Sequence, residues 1–340
     1  MSDSLLRVEH LVKHFQTKGQ GMFGTRQNVR AVDDVSLDVE RGETLGLVGE
    51  TGCGKSTLAR CIIRLENPTS GKVVFDGNDI TAVSDAGLRP YRRRMQMVFQ
   101  DPYSSLNPRR RVGPIIGDPF EIHGVASGSE RRRRVQDLMD LVGLNPEHYN
   151  RFPAQFSGGQ RQRIGIARAI ALRPNLLVCD EPVSALDVSI RAQILNLLAD
   201  LQKELGLTTL FISHDLSVVR HVSDRIAVMY LGKVVEIAPA KDLFEHARHP
   251  YTRALLSAIP IADPDLDAAR EQIVLSGDPP SPIEPPPGCH FHPRCPRAEA
   301  RCAVEEPLLM PRLADTTNHL AACHFPVRDG EPLVAVGKLS

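Results

Sequence analysis

Nine consecutive residues constrain this chain more than any other stretch: Gly49-Glu50-Thr51-Gly52-Cys53-Gly54-Lys55-Ser56-Thr57. They fit G-x-x-x-x-G-K-[ST], a phosphate-binding loop (P-loop). The apolar run Thr44-Leu45-Gly46-Leu47-Val48 before it reads as a buried strand, and Leu58-Ala59-Arg60-Cys61-Ile62-Ile63 after it as an amphipathic helix. Strand, glycine loop and helix is the context in which the motif has mechanical meaning, whereas a chance lysine in a glycine turn would lack both flanking elements. Glycines let backbone N–H groups turn inward and make an anion nest at a helix N-terminus. Lys55 adds a point charge for the β- and γ-phosphates, and Ser56 offers a hydroxyl to Mg²⁺. The stretch therefore predicts binding of a nucleoside triphosphate.

The remaining chain supplies groups that such a ligand needs. Residues 5–48 read as an antiparallel β region, with loose alternation over 5–12, good alternation over 31–39, and a Gly-rich loop at 19–25 between them. Phe15 can stack on a purine or be an ordinary core or edge aromatic. Residues 71–76 read as a strand ending in an Asp76-Gly77 turn. Val98-Phe99-Gln100 is a short apolar strand whose terminal amide suits Mg²⁺ or an attacking water. Residues 103–155 carry helical periodicity, as in 135–142, and read as a helical insert in an α/β domain. Ser157 reads as the N-cap of a long helix beginning Gly158-Gly159-Gln160, a second helix start open to an anion. Leu176-Leu177-Val178-Cys179-Asp180-Glu181 is an apolar strand ending in two acids. Asp180 stands where a magnesium carboxylate belongs, and Glu181 where a group that orients and deprotonates water belongs. Thr209-Leu210-Phe211-Ile212-Ser213-His214 is another buried strand, and its histidine falls at the carboxyl edge where ligands bind in such sheets.

Composition narrows the partners. In 340 residues, 42% are apolar, enough for a substantial core in one large domain or two, and the formal net charge is zero, which points to no nucleic-acid partner. The runs Arg92-Arg93-Arg94 and Arg131-Arg132-Arg133-Arg134 read as solvated helix faces. No apolar stretch reaches the ~20 residues that span a bilayer. The first four residues, Met1-Ser2-Asp3-Ser4, do not begin a secretory signal, so the expected location is the cytosol or a cytosolic surface.

These motifs, in this order, resemble the nucleotide-binding subunits of ATP-binding-cassette (ABC) transporters. Gly49 through Thr57 match Walker A, Gln100 the Q-loop, Ser157-Gly158-Gly159-Gln160 the signature, Leu176 through Glu181 Walker B, Ser184 through Asp187 the D-loop, and His214 the switch histidine. Phe15 matches the aromatic A-loop position despite the glycine-rich insertion, and Phe156 stands where leucine is commoner before the signature. The resemblance implies an α/β fold: an ABC cassette of the P-loop NTPase class, with a RecA-like core, an antiparallel β region and a helical subdomain at about 101–170, spanning residues 1–245. It further implies that Asp180, Ser56 and Gln100 serve Mg²⁺, that Glu181 activates water, that His214 contacts the γ-phosphate, and that Gln100 links the site to a transmembrane partner. The signature of one cassette would cover the nucleotide held by the other in a head-to-tail pair, so an isolated chain is expected to hydrolyse ATP weakly. Rival members that act in DNA repair carry long coiled coils, and ribosomal ones carry two cassettes. A member without hydrolysis would be expected to lack Glu181 or His214.

A narrower resemblance covers the ends. Residues 100–111, His249-Pro250-Tyr251-Thr252 and residues 276–289 look like the dipeptide/oligopeptide importer subfamily, F-type subunit. This implies a second, homologous ATPase subunit, two transmembrane permease subunits, a periplasmic peptide-binding protein acting indirectly, and a peripheral position on the cytoplasmic face of the inner membrane. Nickel, haem or oligosaccharide importers use similar machinery.

Residues 246–340 then form a C-terminal extension. Four of the seven cysteines fall there, Cys289, Cys295, Cys302 and Cys323, spaced C-x5-C-x6-C-x20-C after a proline-rich stretch. Cytosolic thiols stay reduced, which argues against disulfides. The spacing lacks the short C-x2–4-C pair of a zinc ribbon and suits the larger ligand loops of a [4Fe–4S] cluster. Zinc, with His290, His292 or His324, is the alternative, and four unligated thiols the plain one. The resemblance to importer ATPases is consistent with a cluster, in a structural rather than a redox role. Because the nucleotide motifs end by residue 214, the cysteines are expected to take no part in hydrolysis, and replacing Cys295 to leave ATP binding largely intact.

Overall fold

The computed structural model describes residues 4–17, 27–101, 105–259, 273–313 and 318–333. The glycine-rich loop at 19–25 and residues 102–104 of the importer-like stretch lie outside them. In chain order come β1 (Ser4–Thr17), β2 (Gln27–Glu40), β3 (Thr44–Val48), α1 (Lys55–Ile62), β4 (Ser70–Phe75) and β5 (Asn78–Asp79). Then follow α2 (Arg89–Arg94), β6 (Met95–Val98), α3 (Val112–Ile122), α4 (Gly128–Leu141), α5 (Gly158–Ile170) and β7 (Leu176–Asp180). The rest comprises α6 (Val188–Leu205), β8 (Thr208–Ser213), α7 (Leu216–Val222), β9 (Arg225–Tyr230), β10 (Lys233–Pro239), α8 (Ala240–His246), α9 (Pro250–Ser257), β11 (Met310–Pro311) and β12 (Leu320–Ala321). Two compact units emerge, each interleaved along the chain.

The first unit takes residues 1–6, 39–44 and 75–213. Its sheet is parallel: β6 pairs β7 from Met95↔Leu176 to Val98↔Cys179, and β7 pairs β8 from Leu176↔Thr208 to Asp180↔Ile212. β7 and β8 are buried at every position. Strands buried on both faces need continuous apolar sequence, which is why 176–179 and 209–212 read as runs rather than alternations. Helix α3 packs on α4 and α5, and α5 on α6. Ser157 caps α5 through its side chain, and Gln160 returns the bond: Gln160 N–H donates to Ser157 Oγ at 3.3 Å and Ser157 N–H to Gln160 Oε1 at 3.0 Å. This reciprocal capping box satisfies two backbone donors with side chains.

The second unit takes residues 7–38, 45–74 and 214–340. Strand β3 runs parallel to β9, with Leu45↔Arg225 through Val48↔Val228, and β10 is antiparallel to β9. β12 then adds to β10 and β11 to β12, so part of the C-terminal extension continues this sheet. One buried carboxylate ties the extension down. Glu236 on β10, fully buried, accepts from the backbone N–H groups of Arg248 (2.6 Å) and His249 (3.0 Å) and lies 2.8 Å from His319 Nε2. Buried polar oxygens need hydrogen-bond partners, and these have them.

Candidate functional site

The P-loop is built by backbone geometry. Gly54, at φ +108°, precedes α1, and a Cβ there would stand 2.0 Å from the Ala31 carbonyl oxygen. Gly49, at φ +153°, would drive a Cβ to 2.1 Å from Met229 O. Only glycine fits either position. Lys55 is 5% exposed, and its ammonium donates to Gly49 O at 2.7 Å and Glu50 O at 2.9 Å. These two carbonyls hold the ammonium inside the loop. Ser56 and Thr57 are half-buried at the start of α1, while Thr51 and Gly52 are exposed. Cys53 is buried, and burial pushes its thiol pKa up against the opposing pull of Lys55, so it is a passive thiol. The geometry suits a triphosphate: a glycine loop packed closely against the Ala31 and Met229 carbonyls, leading into a helix that begins with a buried lysine.

Phe15 on β1 is 38% exposed, with Lys13 Nζ 4.7 Å over its ring. An exposed ring of this kind is free on one face to stack. His214 follows β8 directly and is exposed, and Asp215 caps α7.

In the first unit Asp180 ends β7 and is 2% exposed. Glu181 turns sharply out of the strand at φ +46°, an uncommon conformation for a residue with a side chain. Its N–H donates to Ile212 O at 3.0 Å, and Ser184 Oγ donates to its carbonyl at 3.1 Å, so the strained turn is pinned from two sides. The Gln100 amide donates to Glu181 Oε2 at 3.0 Å. Two residues read separately from the sequence therefore meet: the Q-loop amide orients the carboxylate of the glutamate. Ser157 and Gln160 are exposed and Gly158 half-buried, while Gly159 is buried, with a Cβ there falling 2.4 Å from Ile190 Cγ2. The start of α5 is less bare than its small residues suggest, because the capping box already uses the N–H groups of Ser157 and Gln160. The spacing Ser-x-x-Gln carries that box in the sequence.

The four cysteines of the extension line one cavity together with Phe291 and Phe325. Among the described residues, no three His, Cys, Asp or Glu side chains converge as a single metal ion requires. Burial pushes the thiols of Cys289, Cys295 and Cys323 up, the last two to about 11 and about 12, and the neighbouring cysteines push in the same direction. Nearby backbone N–H groups, of Phe291 and His292 at Cys289, Arg297 at Cys295 and Phe325 at Cys323, pull the other way without offsetting burial. The histidines named as zinc alternatives each lie within hydrogen-bonding distance of a backbone carbonyl: His290 of Leu231 (3.0 Å), His292 of Cys289 (2.9 Å) and His324 of Glu305 (2.9 Å).

Sequence reading missed two residues that touch the P-loop. Tyr251, fully buried on α9, accepts the Glu50 N–H at 3.0 Å through its hydroxyl, and Arg294 Nη1 lies 3.1 Å from both Glu50 carboxylate oxygens. Tyr251 stands inside the His249-Pro250-Tyr251-Thr252 stretch, which the sequence marked only by resemblance. Nothing in the sequence pointed to Arg294.

The comparisons agree with this geometry. The ABC transporter family matches residues 32–184, and the family described as oligopeptide/dipeptide transporter, C-terminal region, matches residues 235–302. A probable peptide ABC transporter ATP-binding protein of Sinorhizobium fredii is 54% identical over 95% of this chain and 90% of its own length. The oligopeptide transport ATP-binding protein AppF of Bacillus subtilis is 50% identical, over 95% of this chain and 98% of its own. Among solved structures, the dimeric ATP-binding cassette MJ0796, in a post-hydrolysis state bound to ADP and Pi, covers 69% of this chain and 98% of its own at 31% identity and a TM-score of 0.62. Buried Lys55 in a glycine cradle, the paired acids ending β7 and relatives alike over nearly the whole chain lead to one conclusion: the protein belongs to the ATP-binding subunits of ABC transporters, with the C-terminal region of the oligopeptide/dipeptide branch.

Proposed function

We propose that this chain hydrolyses ATP to drive a membrane importer of peptides. The observation that carries the reading is the 54% identity over 95% of the chain to a probable peptide transporter ATPase, and the site residues are those expected from the motifs. Lys55 and the amides of the loop from Gly49 to Thr57 bind the phosphates, and Phe15 stacks on the base. From the motifs, Ser56, Asp180 and Gln100 would hold Mg²⁺, which would neutralise charge on the phosphates. Glu181, kept in place by Gln100, takes the proton of the attacking water, and His214 donates to the γ-phosphate. Ser157, Gly158, Gly159 and Gln160 face the nucleotide of a second, homologous cassette. Two permeases and, indirectly, a periplasmic peptide-binding protein complete the machine, and the chain sits peripherally on the cytoplasmic face of the membrane. Among the described residues no helix is long and apolar enough to cross it. Residues 1–245 form the cassette and 246–340 the extension.

The cysteines belong to this proposal as a structural [4Fe–4S] site, with zinc as the alternative. Support comes from the four thiols that line one cavity, the number of thiolates that a [4Fe–4S] cluster takes.

Glu181→Gln tests the chemistry. It should keep MgATP binding and lower hydrolysis by the assembled transporter more than about tenfold, at least ~1.4 kcal/mol of barrier. Turnover within tenfold of wild type would remove the general-base role. Peptide uptake into vesicles carrying this chain with its permeases tests the substrate class.

A further inference from the structure

The turn between Cys289 and Cys295 does more than carry thiols. It begins with Phe291, which is 1% exposed and packs against Tyr230, Tyr251 and His249 at ring distances of 5.2, 5.4 and 5.6 Å. The backbone then tightens: His292 N–H donates to Cys289 O, Arg294 N–H to Phe291 O and Cys295 N–H to His292 O, at 3.0 to 3.2 Å. This rigid turn delivers Arg294, its side chain 9% exposed, to the Glu50 carboxylate, 27% exposed. Tyr251, in the same aromatic cluster, holds the Glu50 N–H. The second residue of the P-loop is therefore gripped at its backbone and its side chain by groups on or against the cysteine turn. Glu50 also lends its carbonyl oxygen to Lys55 Nζ. A shift of Glu50 changes the cage around the lysine.

We propose that Arg294 is a positioning residue of the nucleotide site, through which the cysteine-bearing turn sets the shape of the P-loop and hence the affinity for ATP. The inference rests on Lys55 and its loop binding ATP. A partly buried pair in which one guanidinium nitrogen meets both carboxylate oxygens holds geometry better than an exposed pair. Removing Arg294 leaves Glu50 half-buried without its cation and frees it to rotate. Arg294 meets the loop through the Glu50 carboxylate, so its effect should fall on binding rather than on the chemical step.

The experiment uses the full chain and a fluorescent ATP analogue with Mg²⁺. Arg294→Met keeps the apolar stem and should weaken binding about tenfold, within the range for contacting charged groups. Arg294→Lys should recover part of the loss. In the transporter assembled with its permeases, KM for ATP should rise while kcat holds. Glu50→Gln removes the acceptor charge without disturbing the cysteine turn. It should cost a similar factor and add little to Arg294→Met in the double variant. Equal affinity in wild type and Arg294→Met, or fully additive losses in the double variant, would overturn the proposal. A lowered melting temperature of Arg294→Met with unchanged affinity would do the same, by showing a structural contact only. Wild-type chain that fails to bind the analogue would instead overturn the nucleotide reading beneath it.

Discussion

The P-loop and the cysteine cavity are both built from turns of the second unit, and they are made in opposite ways. The P-loop is one contiguous segment whose shape is dictated by backbone: Gly54 and Gly49 sit where any Cβ would strike a carbonyl about 2 Å away. The cavity is lined by side chains from separate segments, among them four cysteines spread between residues 289 and 323 on turns that local hydrogen bonds support. Backbone-made sites announce themselves in sequence because they demand glycine at fixed offsets. Side-chain-made sites leave only residue types and spacings, which several ligands share.

The sharpest way to break this contrast is Gly54→Ala. A single methyl against Ala31 O, at φ +108°, should cost about 3 kcal/mol of stability or as much in nucleotide affinity. Denaturant unfolding and ATP-analogue titration of the same variant measure both. Normal values in both assays would mean that the loop can relax and that its geometry is not backbone-limited.

On the other side, Cys295→Ser changes one atom and no backbone. If the cavity is a ligand site, protein purified without oxygen should hold about four irons per chain and lose them, with its brown colour, in the variant. Stability should fall by about 1–3 kcal/mol. One zinc and no iron would keep a metal site and reject the cluster, and no metal in either protein would leave four free thiols. The same variant sharpens the comparison, because Cys295 adjoins Arg294. A weakened ATP affinity would show that the two sites are joined through the turn, against the independence expected from their separation in sequence.

A smaller effect comes from His249, which caps α9 by accepting the Tyr251 N–H at 3.1 Å on Nδ1 and packs on Phe291. Burial lowers its pKa from 6.5 to about 4. Between those values the unfolded chain binds a proton that the folded chain does not, so stability falls as pH drops through this window. The loss at pH 5.5 relative to pH 7.5 should be about 1 kcal/mol. His249→Asn keeps a capping acceptor and should flatten that component of the pH profile. An unchanged slope would assign the acid sensitivity to other groups.

How much of the site was legible can be judged residue by residue. Lys55, Asp180 and Glu181 were found because each stands at the end of a buried apolar strand or its loop, and continuous apolar runs are what two-sided burial requires. The cap at Ser157 was legible, and its return bond from Gln160 was written in the same four residues. The pairing of Gln100 with Glu181 was not, since it depends on β6 and β7 lying side by side, 81 positions apart in the chain. Nor was the left-handed turn at Glu181, where a non-glycine residue is held by Ile212 and Ser184 rather than by its own preference.

By itself, then, the sequence determined what is local: which backbone segments must be bare, which strands must be buried, and which side chains stand next to them. Those properties follow from sterics and hydrophobicity acting over a few residues. Only the tertiary structure decided that β12 of the extension joins β10, that Tyr251 and Arg294 close on Glu50, and that four cysteines share one cavity. Each of these joins residues far apart in the chain. Whether a hydroxyl or guanidinium finds such a partner depends on the packing of whole sheets and helices, and no local pattern encodes it.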